Sequence, residues 1–179
     1  GTDERWSVLP WSGPLRVIDP KRSITDVLEE LMRINQGSLQ TEPQILQRLL
    51  ESAVSQESGP QNLREIRCRG RFLDPGLREL AQTAWGIPII HEYYLEEIGV
   101  IAHQCPSHEG LHVNAEFVHV EILDELGNSC RTGETGRVVV TPLQNITTPL
   151  IRYDTGDLAE AGEPCGCGRT LPVLKQIVS

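Results

Sequence analysis

Apolar residues recur at helical spacing in the first half of the chain. One such stretch starts at Ser23 in the pattern of a capping box, and it predicts an amphipathic helix over residues 23–34 that stops at Gly37. The next stretch has Thr41 as its predicted cap and ends near Gln56. Both stretches carry their apolar residues on one face.

A third helical stretch opens at Asp74-Pro75 and closes at Gly86. Short apolar runs at residues 63–68 and 87–94 flank it and predict strands. Helices that alternate with short strands are typical of crossover units on a mainly parallel sheet. We therefore predict an α/β part over residues 17–104.

The pattern changes to apolar runs separated by polar turns from about residue 105 onward. These runs are residues 117–123, 138–140 and 150–153. Hairpins are expected to replace crossovers here, which gives a β-rich part over residues 105–168. The predicted fold class is α/β: a mainly parallel sheet with flanking helices, followed by an antiparallel β-rich segment. Residues 1–16 show no period and predict an irregular or edge-strand lead-in.

Composition and charge narrow the function classes. The chain has 179 residues, the size of one ordinary domain, with 25 acidic and 16 basic residues and a net charge of −9. An acidic chain with scattered basic residues argues against binding nucleic acid or an anionic membrane. No run approaches the roughly 18 apolar residues needed to span a bilayer, and residues 1–15 lack a signal-peptide pattern. We expect a cytoplasmic protein.

Two short-spaced pairs of metal-ligand residues stand out, Cys105-x-x-His108 and Cys165-x-Cys167. Two such pairs separated by a β-rich segment are the arrangement that a tetrahedral zinc ion needs, and four protein ligands would make the zinc structural. His103 and His112 are competing imidazole ligands. The alternative is that Cys105 is a small buried apolar residue while Cys165 and Cys167 are free thiols in a surface turn.

The stretch Pro149–Leu158 is a candidate for binding a small ligand. Its apolar run feeds a glycine-containing turn, which we expect to present Asp154 and Asp157 at the end of a sheet. A carboxylate held there can accept hydrogen bonds from a ribose diol. The alternative is an Asx-type turn that only caps its own backbone.

A second candidate follows the strand predicted at residues 87–94. The first residues of the stretch 93–99 should lie at the carboxyl edge of the sheet, where an aromatic face can stack on a purine and a carboxylate can hold a magnesium ion beside phosphates. The alternative is an exposed acidic turn.

These motifs together resemble one enzyme family. The string PLIRYDTGDL followed by PCGCGRTLP is similar to the ribose-binding signature of the adenylate-forming (AMP-binding) superfamily, specifically of its phenylacetate-coenzyme A ligase-like branch. YYLEEIG at 93–99 and CPSHEGLH at 105–112 follow in the order and spacing of that branch, and the resemblance extends from about Val17 onward.

The resemblance implies an activity and a set of ligands. The parent activity would activate a carboxylic acid, often aryl or arylacetic, with ATP to an acyl-adenylate, and then form a thioester with coenzyme A. Tyr93 would lie against adenine, Glu97 toward magnesium, and Tyr153 and Asp157 would bind the nucleotide. The cofactors implied are ATP or AMP and magnesium in the complete enzyme, with a structural zinc ion.

Some positions depart from the family pattern. Tyr94 stands where the family has glycine, Glu96 where it has serine or threonine, Arg71 within a Gly-Gly-Glu-like turn, and Ala115 where it has an acidic residue. A bulky ring and an added negative charge would both oppose ATP binding. These departures favour an alternative function, a degenerate and non-catalytic ligase-like domain that acts as a partner or scaffold. A homodimer or a partner subunit is a separate expectation for the chain.

Two parts that adenylate formation requires have no counterpart in the sequence. Nothing before residue 63 resembles a phosphate-binding loop rich in glycine, serine and threonine, and Lys175 stands too early for the family's catalytic lysine. We therefore expect the C-terminal half of a large ligase domain, as an excised piece or a natural truncation, with residues 169–179 starting the hinge to a further domain. Such a chain has no catalytic residue of its own and is expected to be inactive alone.

Overall fold

The computed structural model describes residues 5–6, 14–15, 17–19, 21–34, 37–107 and 110–178. Within these ranges the chain forms three helices, α1 (Ile24–Ile34), α2 (Pro43–Ser55) and α3 (Pro75–Trp85). It also forms eleven strands: β1 (Arg5–Trp6), β2 (Pro14–Leu15), β3 (Ser38–Thr41), β4 (Glu65–Gly70), β5 (Ile89–Leu95), β6 (Gly99–Gln104), β7 (Leu111–Val113), β8 (Val118–Leu123), β9 (Thr135–Pro142), β10 (Tyr153–Ala161) and β11 (Val173–Val178).

β1 and β2 pair with each other in the lead-in, and the other strands form one nine-stranded sheet. Its order is β3-β4-β5-β6-β7-β11-β10-β9-β8. β3, β4 and β5 pair in parallel, and every pairing from β5–β6 onward is antiparallel. The predicted fold class is therefore confirmed, as a mixed sheet with helices beside its parallel strands.

The parallel strands share one apolar core with α2 and α3. α2 contributes Leu46 and Leu50, β4 contributes Ile66 and Cys68, and α3 contributes Ala81, all of them at most 1% exposed. Burial of such side chains contributes about 1.5–3 kcal/mol each for the larger ones. This core lies beside β4 and β5. Two residues of the candidate site, Arg71 and Tyr93, lie near the ends of these strands.

The second core lies within the antiparallel part. It joins Tyr93 of β5 and Ile101 of β6 to Val138 and Val140 of β9 and to Leu174 of β11. β11 runs between β7 and β10, so residues predicted to approach a hinge lie in the middle of the sheet. The predicted domain boundaries themselves stay predictions.

The strand predicted over residues 150–153 is wrong. β10 begins only at Tyr153, and Ile151 is 75% exposed. The turn expected after a strand is instead a bulge inside β10, because the pairing with β9 shifts between Asp154 and Leu158. Gly156, with a φ of 75°, supplies the left-handed conformation that this bulge requires.

The bulge is held by side chains that replace hydrogen bonds of the strand ladder. Asp154 Oδ1 accepts a hydrogen bond from the backbone N–H of Gly156 at 3.0 Å. Thr155 Oγ1 donates to the carbonyl of Val138 at 3.1 Å and accepts from the N–H of Asp157 at 3.1 Å. Asp154 therefore has the Asx-turn role that the sequence left open, while Asp157 stays available for other partners.

Within the described part of the chain, no helix is long and apolar enough to cross a membrane.

Candidate functional site

The carboxylate of Asp157 is the centre of the first candidate site. The residue is only 5% exposed, and each of its carboxylate oxygens accepts one side-chain hydrogen bond. Oδ2 accepts from the hydroxyl of Tyr93 at 2.7 Å, and Oδ1 accepts from Nη1 of Arg71 at 3.0 Å. An ionised carboxylate has about four acceptor positions, so Asp157 can still accept two further hydrogen bonds.

The sheet brings these three residues together from separate parts of the sequence. Gly70, the last residue of β4, pairs with Tyr93 on β5, so Arg71 leaves β4 beside the tyrosine. Nη1 of Arg71 also donates to the carbonyl of Thr155 at 3.0 Å. Arg71 therefore binds the bulge of β10 through one backbone oxygen and one carboxylate oxygen.

Burial defines the state of the tyrosine. Tyr93 is 0% exposed, and this burial raises the pKa of its hydroxyl, which the negative charge of Asp157 raises further. The hydroxyl therefore stays protonated at neutral pH and donates its hydrogen bond to Asp157. This contact fixes the orientation of the carboxylate.

The predicted nucleotide-binding residues have different surroundings. Tyr93 and Asp157 are brought into contact, as described above. Tyr153 opens β10, pairs with Val140 and packs against the second core. Glu97 is exposed in the turn that joins β5 to β6. Their roles toward a nucleotide stay predictions.

Arg71 is the site residue that sequence reasoning missed. The sequence identified it only as a departure from the family pattern, in the turn after a strand. Its contact with Asp157 joins residues 86 positions apart, so no local spacing could reveal it. The available signal was a basic residue directly after a predicted strand end.

The second candidate site is a cluster of metal-ligand residues, Cys105, His112, Cys165 and Cys167. Their ligand atoms all lie within 4.8 Å of one another. Sγ of Cys105 is 3.7 Å from Sγ of Cys165, and Sγ of Cys167 is 3.3 Å from Nε2 of His112. With Zn–S bonds of about 2.3 Å, tetrahedral zinc ligands are separated by about 3.8 Å, so the donor set fits such an ion.

The outcome for the individual ligands is mixed. Cys105, Cys165 and Cys167 come together as the sequence predicted, and His112, named there as a competing ligand, is the imidazole of the cluster. His108 lies outside the described residues, so its part in the cluster stays a prediction.

Local hydrogen bonds favour a thiolate at Cys105. Burial alone would raise the pKa of Cys105, but the backbone N–H of Ser107, the ring of His112 and the two neighbouring thiols lower it to about 6. The pKa of Cys165 is raised by burial and then by its thiol neighbours. These cysteines form no disulfide, since the distance of 3.7 Å between Sγ of Cys105 and Sγ of Cys165 is far longer than a disulfide bond of about 2.05 Å.

His103, the other competing imidazole, lies elsewhere, beside the buried carboxylate of Glu92. Glu92 is 1% exposed and accepts hydrogen bonds from Nε of Arg69 at 2.7 Å and Nη1 of Arg67 at 3.3 Å. Nδ1 of His103 is 3.6 Å from the same carboxylate. Burial raises the pKa of Glu92, but His103 and Arg69 outweigh it and lower the pKa to about 2.

No protein-family model matches the chain. A stretch of 99 residues, 52% of the chain, is 32% identical to a phenylacetate-coenzyme A ligase from Thermus thermophilus and covers 22% of that protein.

Solved structures match over most of the chain. A 2-hydroxyisobutyryl-CoA ligase in complex with 2-HIB-AMP and CoA matches 90% of this chain and 37% of its own, with a TM-score of 0.78 and 21% identity. An anthranilate CoA ligase in complex with anthranoyl-AMP matches 88% of this chain and 33% of its own, with a TM-score of 0.65 and 16% identity. The structural matches show the fold, and with the sequence match they confirm the predicted resemblance.

Proposed function

Because the chain resembles the adenylate-forming enzymes in sequence over half its length and in fold over most of it, we propose that it is the nucleotide-facing part of an ATP-dependent acyl-coenzyme A ligase. Such an enzyme activates a carboxylic acid as an acyl-adenylate and then transfers the acyl group to coenzyme A. Aryl and arylacetic acids are the candidate substrates. The observation that carries the proposal is the buried carboxylate of Asp157, which Tyr93 holds in one orientation.

Asp157 is proposed to accept the ribose hydroxyls. A carboxylate that is already oriented loses little conformational entropy when a diol binds, and each charge-assisted hydrogen bond contributes about 1.5–3 kcal/mol. The ring of Tyr93 is fully buried, so its hydroxyl can act here by orienting Asp157. Stacking of Tyr93 on adenine would require that ring to become uncovered.

Glu97 and Tyr153 complete the proposed nucleotide-binding set. Glu97 is an exposed carboxylate in the turn that follows β5, and oxygen ligands of this kind suit a magnesium ion that accompanies ATP. The matched stretch spans 22% of the phenylacetate-coenzyme A ligase. We assign no catalytic residue in this chain and propose that it does not form acyl-adenylate alone.

The cysteine and histidine cluster is proposed to hold a structural zinc ion. Cys105 follows β6, His112 lies in β7, and Cys165 and Cys167 lie in the loop between β10 and β11. A zinc ion with four protein ligands has no open position for substrate, so it would stabilise the fold by joining that loop to the β6–β7 hairpin. Free cysteines also support a cytoplasmic location, where thiols stay reduced.

The comparisons do not favour the alternative of a non-catalytic scaffold, because the matched proteins named above are coenzyme A ligases by their descriptions. A homodimer or a partner subunit stays a prediction.

The proposed function is tested by calorimetric titration of AMP into the chain and into Asp157→Asn. We expect Asp157→Asn to weaken AMP binding about tenfold or more, since it removes the charge that the ribose hydroxyls bind. Asp154→Asn is the matched control, because Asp154 lies in the same bulge and is 45% exposed beside Arg137. AMP that binds Asp157→Asn as tightly as the unaltered chain would contradict the proposal.

A further inference from the structure

The carboxylate that the ribose is proposed to reach already has a cationic partner. Asp157 is nearly fully buried, whereas the side chain of Arg71, which contacts it, is 48% exposed. A half-exposed guanidinium bound to a buried carboxylate lies on the solvent side of that carboxylate. A ligand that approaches Asp157 from solvent therefore meets Arg71 first.

Arg71 is held in this position by two contacts, both made by Nη1. One is the hydrogen bond to Oδ1 of Asp157, and the other is the hydrogen bond to the carbonyl of Thr155, each at 3.0 Å. The peptide of Gly70 anchors the start of the turn, because Gly70 is paired with Tyr93 across the sheet. These contacts hold the guanidinium against the bulge of β10.

The two partners of Asp157 differ in how easily they can be displaced. The hydroxyl of Tyr93 is buried in the core and cannot leave without opening the sheet. The guanidinium of Arg71 is half in solvent, and an exposed arginine regains hydration and side-chain freedom when it moves away. Oδ1 is therefore the oxygen that a ligand can uncover.

We propose that Arg71 sets the nucleoside affinity of this site by occupying Oδ1 of Asp157, so that a ribose diol reaches both carboxylate oxygens at full strength only when it displaces the guanidinium. The inference rests on the proposed function, since it assumes that Asp157 is the ribose acceptor. It assigns Arg71 as a specificity-determining residue: a ligand without two adjacent hydroxyls cannot replace the charged hydrogen bond that Arg71 makes. Binding is a competition between a diol and a cation for one carboxylate.

The test is the affinity of adenosine for the chain and for Arg71→Met, measured by calorimetry. Methionine keeps much of the length and apolar volume of the arginine and removes its charge and donors. Arg137→Met is the matched control, because Nη1 of Arg137 donates its hydrogen bond to Asp154 of the same bulge, at 2.7 Å, and not to Asp157. Repeating each titration with 2′-deoxyadenosine and 3′-deoxyadenosine reports whether the diol is the group that competes.

We expect Arg71→Met to bind adenosine about tenfold more tightly, equivalent to about 1.4 kcal/mol, and the gain to be lost with either deoxynucleoside. Arg137→Met should bind like the unaltered chain. Detectable binding only in Arg71→Met would also support the inference, because it would mean that the guanidinium closes the site.

Other results would overturn it. Equal or weaker adenosine binding by Arg71→Met, in a chain that binds adenosine, would refute the role of Arg71 and leave the nucleotide site standing. Unchanged adenosine binding with weaker AMP binding would place the guanidinium on the phosphate instead. No binding by either protein would refute the nucleotide site and this inference together.

Discussion

At the scale of single residues, Glu92 shows how the sheet tolerates a buried charge. Its carboxylate is 1% exposed, and a charge in that position is costly unless cations compensate it. Arg67 and Arg69 on β4 supply that compensation, and Nδ1 of His103 on β6 lies 3.6 Å from the same carboxylate. Arg69 also lies over the ring of Tyr94, with 5.4 Å between its guanidinium carbon and the ring centroid.

The ion pairs of Glu92 make the free energy of unfolding depend on pH. The folded-state pKa of about 2 is below the ordinary 4.5, so the stabilisation is complete above about pH 4.5 and is lost as the pH falls toward 2. Glu92→Gln should lower the free energy of unfolding by about 1–3 kcal/mol at pH 7, a range that allows for solvent screening of the two arginines. The difference from the unaltered chain should shrink below pH 4.5, in urea unfolding followed from pH 7 to pH 3.

Glu79→Gln provides the control for this prediction, because it makes the same change of charge at an exposed position on α3. It should leave the free energy of unfolding nearly unchanged at every pH. A difference between Glu92→Gln and the unaltered chain that stays constant from pH 7 to pH 3 would contradict the account of Glu92.

At the scale of elements, the helices were predictable because their signals are local. The ends predicted for the third helix are confirmed: Oδ1 of Asp74 accepts from the N–H of Gly76 at 2.7 Å, and Gly86 ends the helix with a φ of 67°. The cap predicted for the second helix is wrong. Thr41 belongs to β3, and the N-cap is Glu42, whose side chain makes no capping hydrogen bond.

The short strands were less predictable, because their pairing depends on residues far away in the chain. β3 has the sequence SLQT, too short and too polar to show a period, and it exists because β4 offers it a parallel partner. The run at 150–153 looked like a strand by composition, yet pairing with β9 begins only at Tyr153. Local patterns give helix ends better than they give sheet register.

The loop between β10 and β11 is the element that the proposed zinc ion would stabilise. We expect mass spectrometry of the untagged protein to find about one zinc ion per chain, as four ligands require. A Cys165→Ser/Cys167→Ser variant should lose the metal and unfold several degrees lower. Cys130→Ser should keep the zinc ion and the unfolding temperature of the unaltered chain, since Cys130 is outside the cluster.

The same measurement identifies the imidazole ligand. His112→Ala should lose zinc, and His108→Ala should keep it, if the cluster of the structure is the site. The reverse result would assign the ligand to His108, as the sequence spacing suggested. Metal-free protein, with cysteine variants as stable as the unaltered chain, would contradict a zinc site altogether.

At the scale of the whole molecule, the sheet decides which residues meet. Cys165 and Cys167 could be predicted as a ligand pair from their spacing, because both lie in the loop between β10 and β11. The contact of Tyr93 with Asp157 joins residues 64 positions apart, and only the resemblance to a family brought both to attention. The contact of Arg71 with Asp157 had no such guide, since the family pattern has no arginine there.

This arrangement gives the molecule one candidate nucleotide site between its two structural halves. β4 and β5 of the parallel part supply Arg71 and Tyr93, and β10 of the antiparallel part supplies Asp157. The site therefore depends on the continuous sheet and would be lost if either half were removed.

The most direct test of the central claim is a crystal structure of the chain with AMP bound. We predict that the ribose hydroxyls lie within about 2.6–3.2 Å of the carboxylate of Asp157 and that the guanidinium of Arg71 has left Oδ1. Tyr93 should keep its hydrogen bond to Oδ2. AMP bound elsewhere on the chain, with Arg71 still paired to Asp157, would contradict the assignment of this carboxylate as the ribose acceptor.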